Sequence, residues 1–458
     1  MGWVIACIDA ITRETMLFAA AGLLIGGIDD LLVDLVFLAN RARTRRPARL
    51  SIESLGRPAV PGRLAIFVPA WDEVAVIGEM LAAAVARFDH DDYRIYVGLY
   101  PNDRATIDAA ARVAAGDSRI QLVIGPRDGP TTKADCLNVL WHALLRDDER
   151  RGQATKAVVL HDAEDVVHPA ELRVFDTLIE GRAVVQLPVL PLVKRSARLV
   201  SGHYADEFSE AHLKSMVVRT ALGAAMPLAG TGCAIATAML ARIARERGGE
   251  PFDATSLTED YELGLRIAEL GGPGLFARVA DGTGGVVAGR AYFPDTIPAA
   301  TRQKARWMTG IALAGWDRTG WAAPRALGDH WMRMRDRRAP LAVLVLAVAY
   351  VAVLAWGARA VLHWSLDVPM PSDRLADWLI GATTALLVWR LAMRMACTRR
   401  CYDWREAYWS LPRFFVGNFV ALVAAPRALV RYVAMLRGGA PVWDKTRHEF
   451  PTAATVSA

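Results

Sequence analysis

Asp162, Glu164 and Asp165 follow directly on the apolar run "VVL" at 158–160, with His161 and His168 on either side. A D-x-E triplet at a strand terminus puts two carboxylates on one side of the turn, an arrangement suited to a hard divalent cation that also carries phosphate oxygens. The same triplet also reads as a solvated turn capping the helix that begins near Pro169. Three further stretches bear on the choice: "GTGCA" at 230–234, "TED" at 258–260 ahead of the helical pattern "YELGLRIAEL", and "RQKARW" at 302–307 with Gln303, Arg306 and Trp307 in Q-x-x-R-W spacing. Each has an ordinary structural use as well. Thr258, Glu259 and Asp260 can all cap a helix, and an Arg-Trp pair near an apolar segment serves as an interface anchor.

Stepping along the chain, residues 60–320 alternate strand and helix signals. "RLAIFVPA", "YRIYVGLY", "IQLVIG" and "AVVLHDAED" read as strands, while "DEVAVIGEMLAAAVARF" and "ATIDAAARVAAG" read as helices. That rhythm predicts an α/β domain with a mostly parallel sheet and ligands at the carboxyl ends of its strands, where Asp72, Asn102 and the carboxylates after Leu160 all fall.

The chain has 458 residues, 53% of them hydrophobic, and a formal charge of +6 gathered in short basic runs. This favours a membrane surface over nucleic acid. Five cysteines without paired CxxC spacing argue for a reduced compartment and against structural zinc. Residues 16–39, 341–362 and 378–396 are long and apolar enough to span a bilayer, and the basic runs beside them put the catalytic part in the cytoplasm. The apolar stretch 414–426 is too short for about 30 Å of hydrocarbon and reads as an interfacial or re-entrant helix, leaving the tail cytoplasmic; a fourth span would put it outside. The expected organisation is therefore 1–50 as helix and basic linker, 60–320 as catalytic domain, 321–340 as an interfacial segment, 341–437 as transmembrane or interfacial helices, and 438–458 as a tail.

"HDAED", "GTGCA", "TED" and "RQKARW", in this order and with "PAWDE" at 69–73 and "KADCLN" at 133–138, resemble the membrane-bound, cellulose-synthase-like branch of family 2 glycosyltransferases. "GIDDLLVDL", "HDAEDVVHPAELRVF", "SLTEDYELGLRI" and "VWDKTRHEFP" extend the resemblance to the bacterial phage-adsorption protein B group of inner-membrane glycosyltransferases, over nearly the whole chain. Longer members of that group carry a further C-terminal domain, so regulation residing there is expected to be absent. The family's usual Asp-Asp after the second strand is here "LYPND", which leaves Asn102 or Asp103 as its substitute.

The resemblance implies a GT-A type nucleotide-sugar-binding domain flanked by transmembrane and interfacial helices, and an inverting, metal-dependent hexosyltransferase. Asp162 and Glu164 would hold Mg2+ or Mn2+. Pro69, Trp71, Asp72, Glu73 and Asn102 would face the donor nucleotide, with Lys133 near its phosphates. Asp260 would be the general base, with Glu259 in reserve. Gln303 and Arg306 would hold the departing diphosphate, and Trp307 with Gly230, Thr231 and Gly232 would meet the acceptor. The implied partners are a nucleotide-sugar, with UDP the expected base, a glycan or lipid-linked acceptor, and the lipid bilayer. Three spans are few for a self-contained secretion channel, which leaves a place for export-complex proteins. The rival readings are a polyprenyl-phosphate sugar transferase and an inactive scaffold of an export or phage-receptor complex.

Other features carry less. His161 and His168 are poor ligands for a hard cation. "DGTGGVVAG" at 281–289 follows no strand and opens no helix, so it reads as a turn. Asp29, Asp30 and Asp34 need partners if they sit in a membrane helix. Either Arg359 or Arg390 faces Asp30 and Asp34, or the first segment breaks at Gly26-Gly27.

Overall fold

The computed structural model describes residues 2–43, 50–439 and 448–451. Most of the basic run at 41–49, and "VWDKTR" of the tail, lie outside the described residues. Seven strands form one sheet: β1 (Leu64–Pro69), β2 (Tyr93–Leu99), β3 (Ile120–Ile124), β4 (Ala157–Leu160), β5 (Val184–Gln186), β6 (Cys233–Ala236) and β7 (Gly274–Phe276). Their order is β3-β2-β1-β4-β6-β5-β7. All pairs are parallel except those that β6 makes with β4 and β5. The four strands expected from sequence are β1 to β4.

β1 is buried throughout, and the strand alternation divides it between two cores. Leu64, Ile66 and Val68 enter one apolar cluster, while Ala65 and Phe67 enter the other. Helices therefore cover both faces, the usual condition for parallel strands. From β1 the chain goes outward through β2 and β3, then returns to pair β4 on the other side of β1, with Leu64 opposite Ala157. The carboxyl ends of β1 and β4 consequently flank the switch point, where open α/β sheets bind ligands.

Four helices among the described residues are long and apolar enough to cross a membrane: Trp3–Arg43, Ala339–Ser365, Arg374–Cys401 and Trp404–Leu436. The first runs unbroken through Gly26 and Gly27, so of the two readings of this segment the one with paired carboxylates holds and the break does not. Gly27 packs so close to Leu386 that a Cβ would lie 2.9 Å from its side chain. The acidic residues have found partners. Asp30 pairs with Arg390 at 3.3 Å, as the sequence suggested, and also with Arg335 and Arg338 at 2.9 and 2.6 Å. Asp34 instead meets Lys214 and Trp389, and Arg359 goes to Asp9. The first helix is thereby pinned to Leu327–Arg337, the helix occupying most of 321–340, and to the catalytic domain through Lys214.

The apolar stretch 414–426 belongs to a 33-residue helix that continues through Pro412 and Pro426, so its length alone would permit a span. It packs both on the helix Arg374–Cys401 and on the catalytic domain. Val420 packs with Tyr204 and Ala300, Ala424 and Ala428 pack with Ala305, and Arg413 reaches Asp206 at 3.4 Å and the Arg198 carbonyl at 2.9 Å.

Candidate active site

The site is assembled from five chain segments. β1 and β4 end side by side and release Trp71 and Glu73 from one, and Asp162 and Glu164 from the other. Lys133 opens the helix Lys133–Arg151, whose start is fixed by Thr132 accepting from the Asp135 amide at 3.2 Å. Glu259 and Asp260 open the helix Glu259–Glu269, and Gln303, Arg306 and Trp307 lie on Ile297–Trp307. Together they line a cavity of about 200 Å³ with Pro69, Thr231 and His448.

Lys133 is the electrostatic centre. Its ammonium pairs with Asp162 and donates to the Gly230 carbonyl at 3.2 Å. Burial alone would lower its pKa, but Asp162, Glu259 and Asp260 outweigh that and hold it above its ordinary value. Burial pushes the Asp260 carboxyl up, with Lys133 opposing. Glu259 is pushed up to about 7 by burial and by Asp260. Gly230, at φ 75°, lets the chain pass beside these groups; a Cβ there would lie 2.6 Å from Asp260 Oδ2.

Asp260 is not the helix cap. The cap position is Thr258, and Asp260 Oδ1 accepts from the Tyr261 amide at 2.8 Å, leaving the carboxylate in the cavity wall. Gln303 Oε1 and Arg306 Nε are buried without a hydrogen-bond partner among the described residues. Polar atoms left this way are costly unless a ligand meets them. Trp307 joins an aromatic group, its ring centroid 6.0 Å from Tyr204 and 6.4 Å from Phe293. Directly after it the helix widens to π geometry over Met308–Leu313, a distortion frequent at functional sites.

The carboxylates after β4 have separate fates. Asp165 Oδ2 accepts from the Asp162 amide at 2.9 Å, meets His161 Nδ1 at 2.9 Å, and takes the Thr231 hydroxyl. His161 also stands 2.9 Å from Glu171 and is fully buried. It is held up to about 10: burial opposes this, and Glu171 and Asp165 prevail. His168 accepts from the Ala170 amide at 3.2 Å. Both histidines are engaged within the fold. Glu164 points instead to a group with Glu73 and His448, whose ligand atoms lie within 4.8 Å of one another. Burial pushes its carboxyl up to about 8, against the pull of His448. Burial would lower the His448 imidazole, but Glu164 and Glu73 outweigh it and hold it up to about 9, so the two carboxylates already draw one positive charge.

Of the expected donor and acceptor residues, Asp72, Asn102 and Gly232 do not line the cavity, whereas Thr231 does. Asn102 clamps the Gly129 backbone through two hydrogen bonds of 2.8 Å, and the Asp72 amide donates to Asp103 Oδ2 at 2.6 Å. This braces the loop over Trp71, whose ring lies 2.4 Å from where a Gly129 Cβ would sit. Gly232 directly precedes β6 and donates to the Leu160 carbonyl at 3.0 Å, and the Thr231 hydroxyl is turned inward to Asp165. The turn at 281–285 is held by Asp281, which accepts from the Thr283 and Gly285 amides at 2.9 Å. Sequence reasoning missed His448, which lies 375 residues beyond Glu73 with membrane-type helices between them. No spacing rule reaches that far.

Residues 61–310 match the family described as "Glycosyltransferase like family 2". The chain is 34% identical over 97% of its length to bacteriophage adsorption protein B of Escherichia coli K12, and equally to bacteriophage N4 adsorption protein B of Escherichia coli O157:H7. It spans 62% of the length of those relatives. A mannosyltransferase from Pyrobaculum calidifontis, solved in complex with GDP-Man and Mn2+, superposes on 92% of this chain and 99% of its own, with TM-score 0.53 and 17% identity. That likeness bears on the fold, which is of the GT-A type. With more than half of its residues inside the family match, the chain belongs to glycosyltransferase family 2.

Proposed function

We propose that the protein is an inverting glycosyltransferase of the bacterial inner membrane, which moves a sugar from a nucleoside diphosphate donor to a growing polysaccharide or a lipid-linked glycan. The observation that carries this is one cavity holding a raised carboxylate, Asp260, opposite Lys133, Gln303 and Arg306, with Trp307 in its wall. In a single displacement the acceptor oxygen forms its bond to the anomeric carbon as the bond from that carbon to the diphosphate oxygen breaks. The hydroxyl proton goes to Asp260, and the electron pair leaves with the diphosphate. Lys133 and Arg306 are the cations that meet this developing charge, the orphaned Arg306 Nε donates to a diphosphate oxygen, and the orphaned Gln303 Oε1 accepts from a sugar hydroxyl.

Asp162 and Glu164 are the carboxylates expected to hold Mg2+ or Mn2+, and Glu164, beside Glu73, fits that role on donor chemistry. When bound, such an ion neutralises the diphosphate. The Pyrobaculum enzyme was solved with GDP-Man and Mn2+, which supports the donor class and the ion. A UDP-sugar is the donor to try first.

For topology, the helix Trp404–Leu436 lies along the catalytic domain, and Glu449 beyond it pairs with Lys194 at 2.6 Å. Both observations support an interfacial helix with a cytoplasmic tail and three spans. The relatives' name, adsorption of bacteriophage, fits an envelope product.

The test is a screen of nucleotide-sugars for diphosphate release by membranes carrying the protein, with and without EDTA. Release from one donor, abolished by EDTA and restored by Mn2+ or Mg2+, is the expected result. No release from any donor would refute an active transferase.

A further inference from the structure

Arg278 closely follows the edge strand β7, which ends at Phe276. Its Nε is buried without a hydrogen-bond partner, and among the described residues its guanidinium pairs with no carboxylate. Other buried arginines are matched: Arg219 faces Asp336, Arg333 faces Asp329 at 3.2 Å, Arg394 faces Glu210 at 2.6 Å and Arg413 faces Glu406. Arg337 lies between the rings of Trp316 and Trp321 and donates to Thr319 at 3.1 Å. Arg306 shares the orphaned Nε, but it lines the donor cavity, where a diphosphate accounts for it. Arg278 does not line that cavity.

The charges around Arg278 are positive. Burial lowers its pKa, Arg400 and Arg41 act in the same direction, and the thiols of Cys401 and Cys397 oppose them. A guanidinium keeps its proton even so. Arg290 approaches from another segment. Tyr402 donates to the Pro191 carbonyl at 2.6 Å, and the chain around Pro191 pairs with the chain around Arg290 through Val189 with Gly289 and Leu192 with Tyr292. Arg278, Arg290 and Arg400 all bear on Cys401, and among the described residues none of the three is ion-paired. Gathered cations are costly unless an anion joins them, and forked guanidinium donors match phosphate oxygens.

Depth selects the source of the phosphate. Arg338, at the head of Ala339–Ser365, and Arg390 both meet Asp30. Arg400 lies roughly ten residues, or about 15 Å of helix, beyond Arg390 and reaches the sheet edge, away from the start of that apolar helix. We propose that Arg278, Arg290 and Arg400 form a binding site for the phosphate of a soluble phosphate ester or diphosphate, separate from the donor cavity and independent of the transferase reading. The bound anion joins the end of the helix Arg374–Cys401 to the edge of the sheet.

The experiment titrates radiolabelled inorganic pyrophosphate onto the full chain in detergent and EDTA, using wild type, Arg278→Gln, Arg290→Gln and Arg306→Gln. Arg306→Gln should keep saturable binding, because it disturbs only the donor cavity. Arg278→Gln and Arg290→Gln should weaken binding by at least about tenfold, the low end for a charged hydrogen bond. Thermal unfolding gives a second measure. Without phosphate, Arg278→Gln should unfold no lower than wild type, since one of several like charges is gone; pyrophosphate should raise the wild-type transition and leave that of the variant in place. Binding lost in Arg306→Gln and kept in Arg278→Gln would put the anion in the donor cavity and overturn the proposal. Wild type without binding, or Arg278→Gln unfolding well below wild type in phosphate-free buffer, would overturn it too. In nanodiscs, binding blocked by phosphatidylglycerol and not by phosphatidylcholine would give the site to a lipid headgroup and overturn the soluble ligand. No arm depends on sugar transfer, so an inactive transferase would leave the test intact.

Discussion

Lys133 is ion-paired with Asp162, so the first carboxylate of the D-x-E triplet is neutralised by an ammonium from the start of a neighbouring helix. That ammonium is also held by the Gly230 carbonyl and lies in the field of Glu259 and Asp260. It is buried and positioned before any donor arrives, and a diphosphate entering the cavity meets a preset positive charge.

Lys133→Ala should therefore weaken nucleotide-sugar binding by about 10- to 100-fold, the worth of a charged hydrogen bond of roughly 1.5–3 kcal/mol. Titration calorimetry with UDP-sugars in fixed Mn2+ reads this directly. Unchanged affinity would remove Lys133 from the donor site.

Asp260→Asn separates base from scaffold. The cap position belongs to Thr258, and an Asn oxygen can still accept from the Tyr261 amide, so the fold and donor affinity should stay near wild type. Sugar transfer should fall by about 10²–10⁴-fold. A loss smaller than about tenfold, outside that range, would make Asp260 structural and turn attention to Glu259.

The pH profile follows from the same pair. A base works only when ionised, and burial raises both Asp260 and Glu259, the latter to about 7. Transfer should accordingly decline on acidification well above pH 4, the ordinary range for Asp. The midpoint belongs to the pair and not to either residue. In Asp260→Asn the charge that raises Glu259 is gone, so any residual activity should keep its acidic limb at lower pH. An acidic limb near pH 4 in the wild type would contradict a buried base.

His161 makes a stability prediction. Its folded pKa, about 10, lies above the unfolded value near 6.5, so the stabilisation from Asp165 and Glu171 is complete below about pH 6.5 and is lost as pH rises through about 10. Thermal unfolding in detergent should fall across that window, and His161→Asn should flatten the dependence while lowering stability by roughly 3–5 kcal/mol, the cost of breaking a buried pair. Mn2+ affinity in His161→Asn should stay within threefold of wild type, a factor worth about 0.6 kcal/mol from RT ln 3; a larger loss would return His161 to the metal site.

The existence of strands β1 to β4 and the carboxylates at their ends were legible because they rest on local rules, whereas "TED" and "RQKARW" stood out through the resemblance to a family. Apolar runs of four to seven residues make buried strands, and polar groups after such a strand must lie at its carboxyl end. Asp260, Lys133, Arg306 and Trp307 carried their identities in short motifs, and the fold brought them to one cavity. Sequence also required partners for Asp29, Asp30 and Asp34, since burying unpaired charge is costly. It did not choose them: Asp30 took Arg390 as expected, whereas Asp34 went to Lys214.

What only the tertiary structure decided are relations between distant segments. Asn102, expected at the nucleotide, makes two hydrogen bonds to the Gly129 backbone and so clamps the loop over Trp71. The D-x-E triplet was read as one unit, yet its side chains diverge, Asp162 to Lys133 and Glu164 to Glu73 and His448. Spacing within a turn says which carboxylates are close in the chain. Which cation each one meets depends on helices and a tail docking from 29 residues before Asp162 and 375 residues after Glu73, and hydrophobic patterning encodes those dockings only through the packed whole.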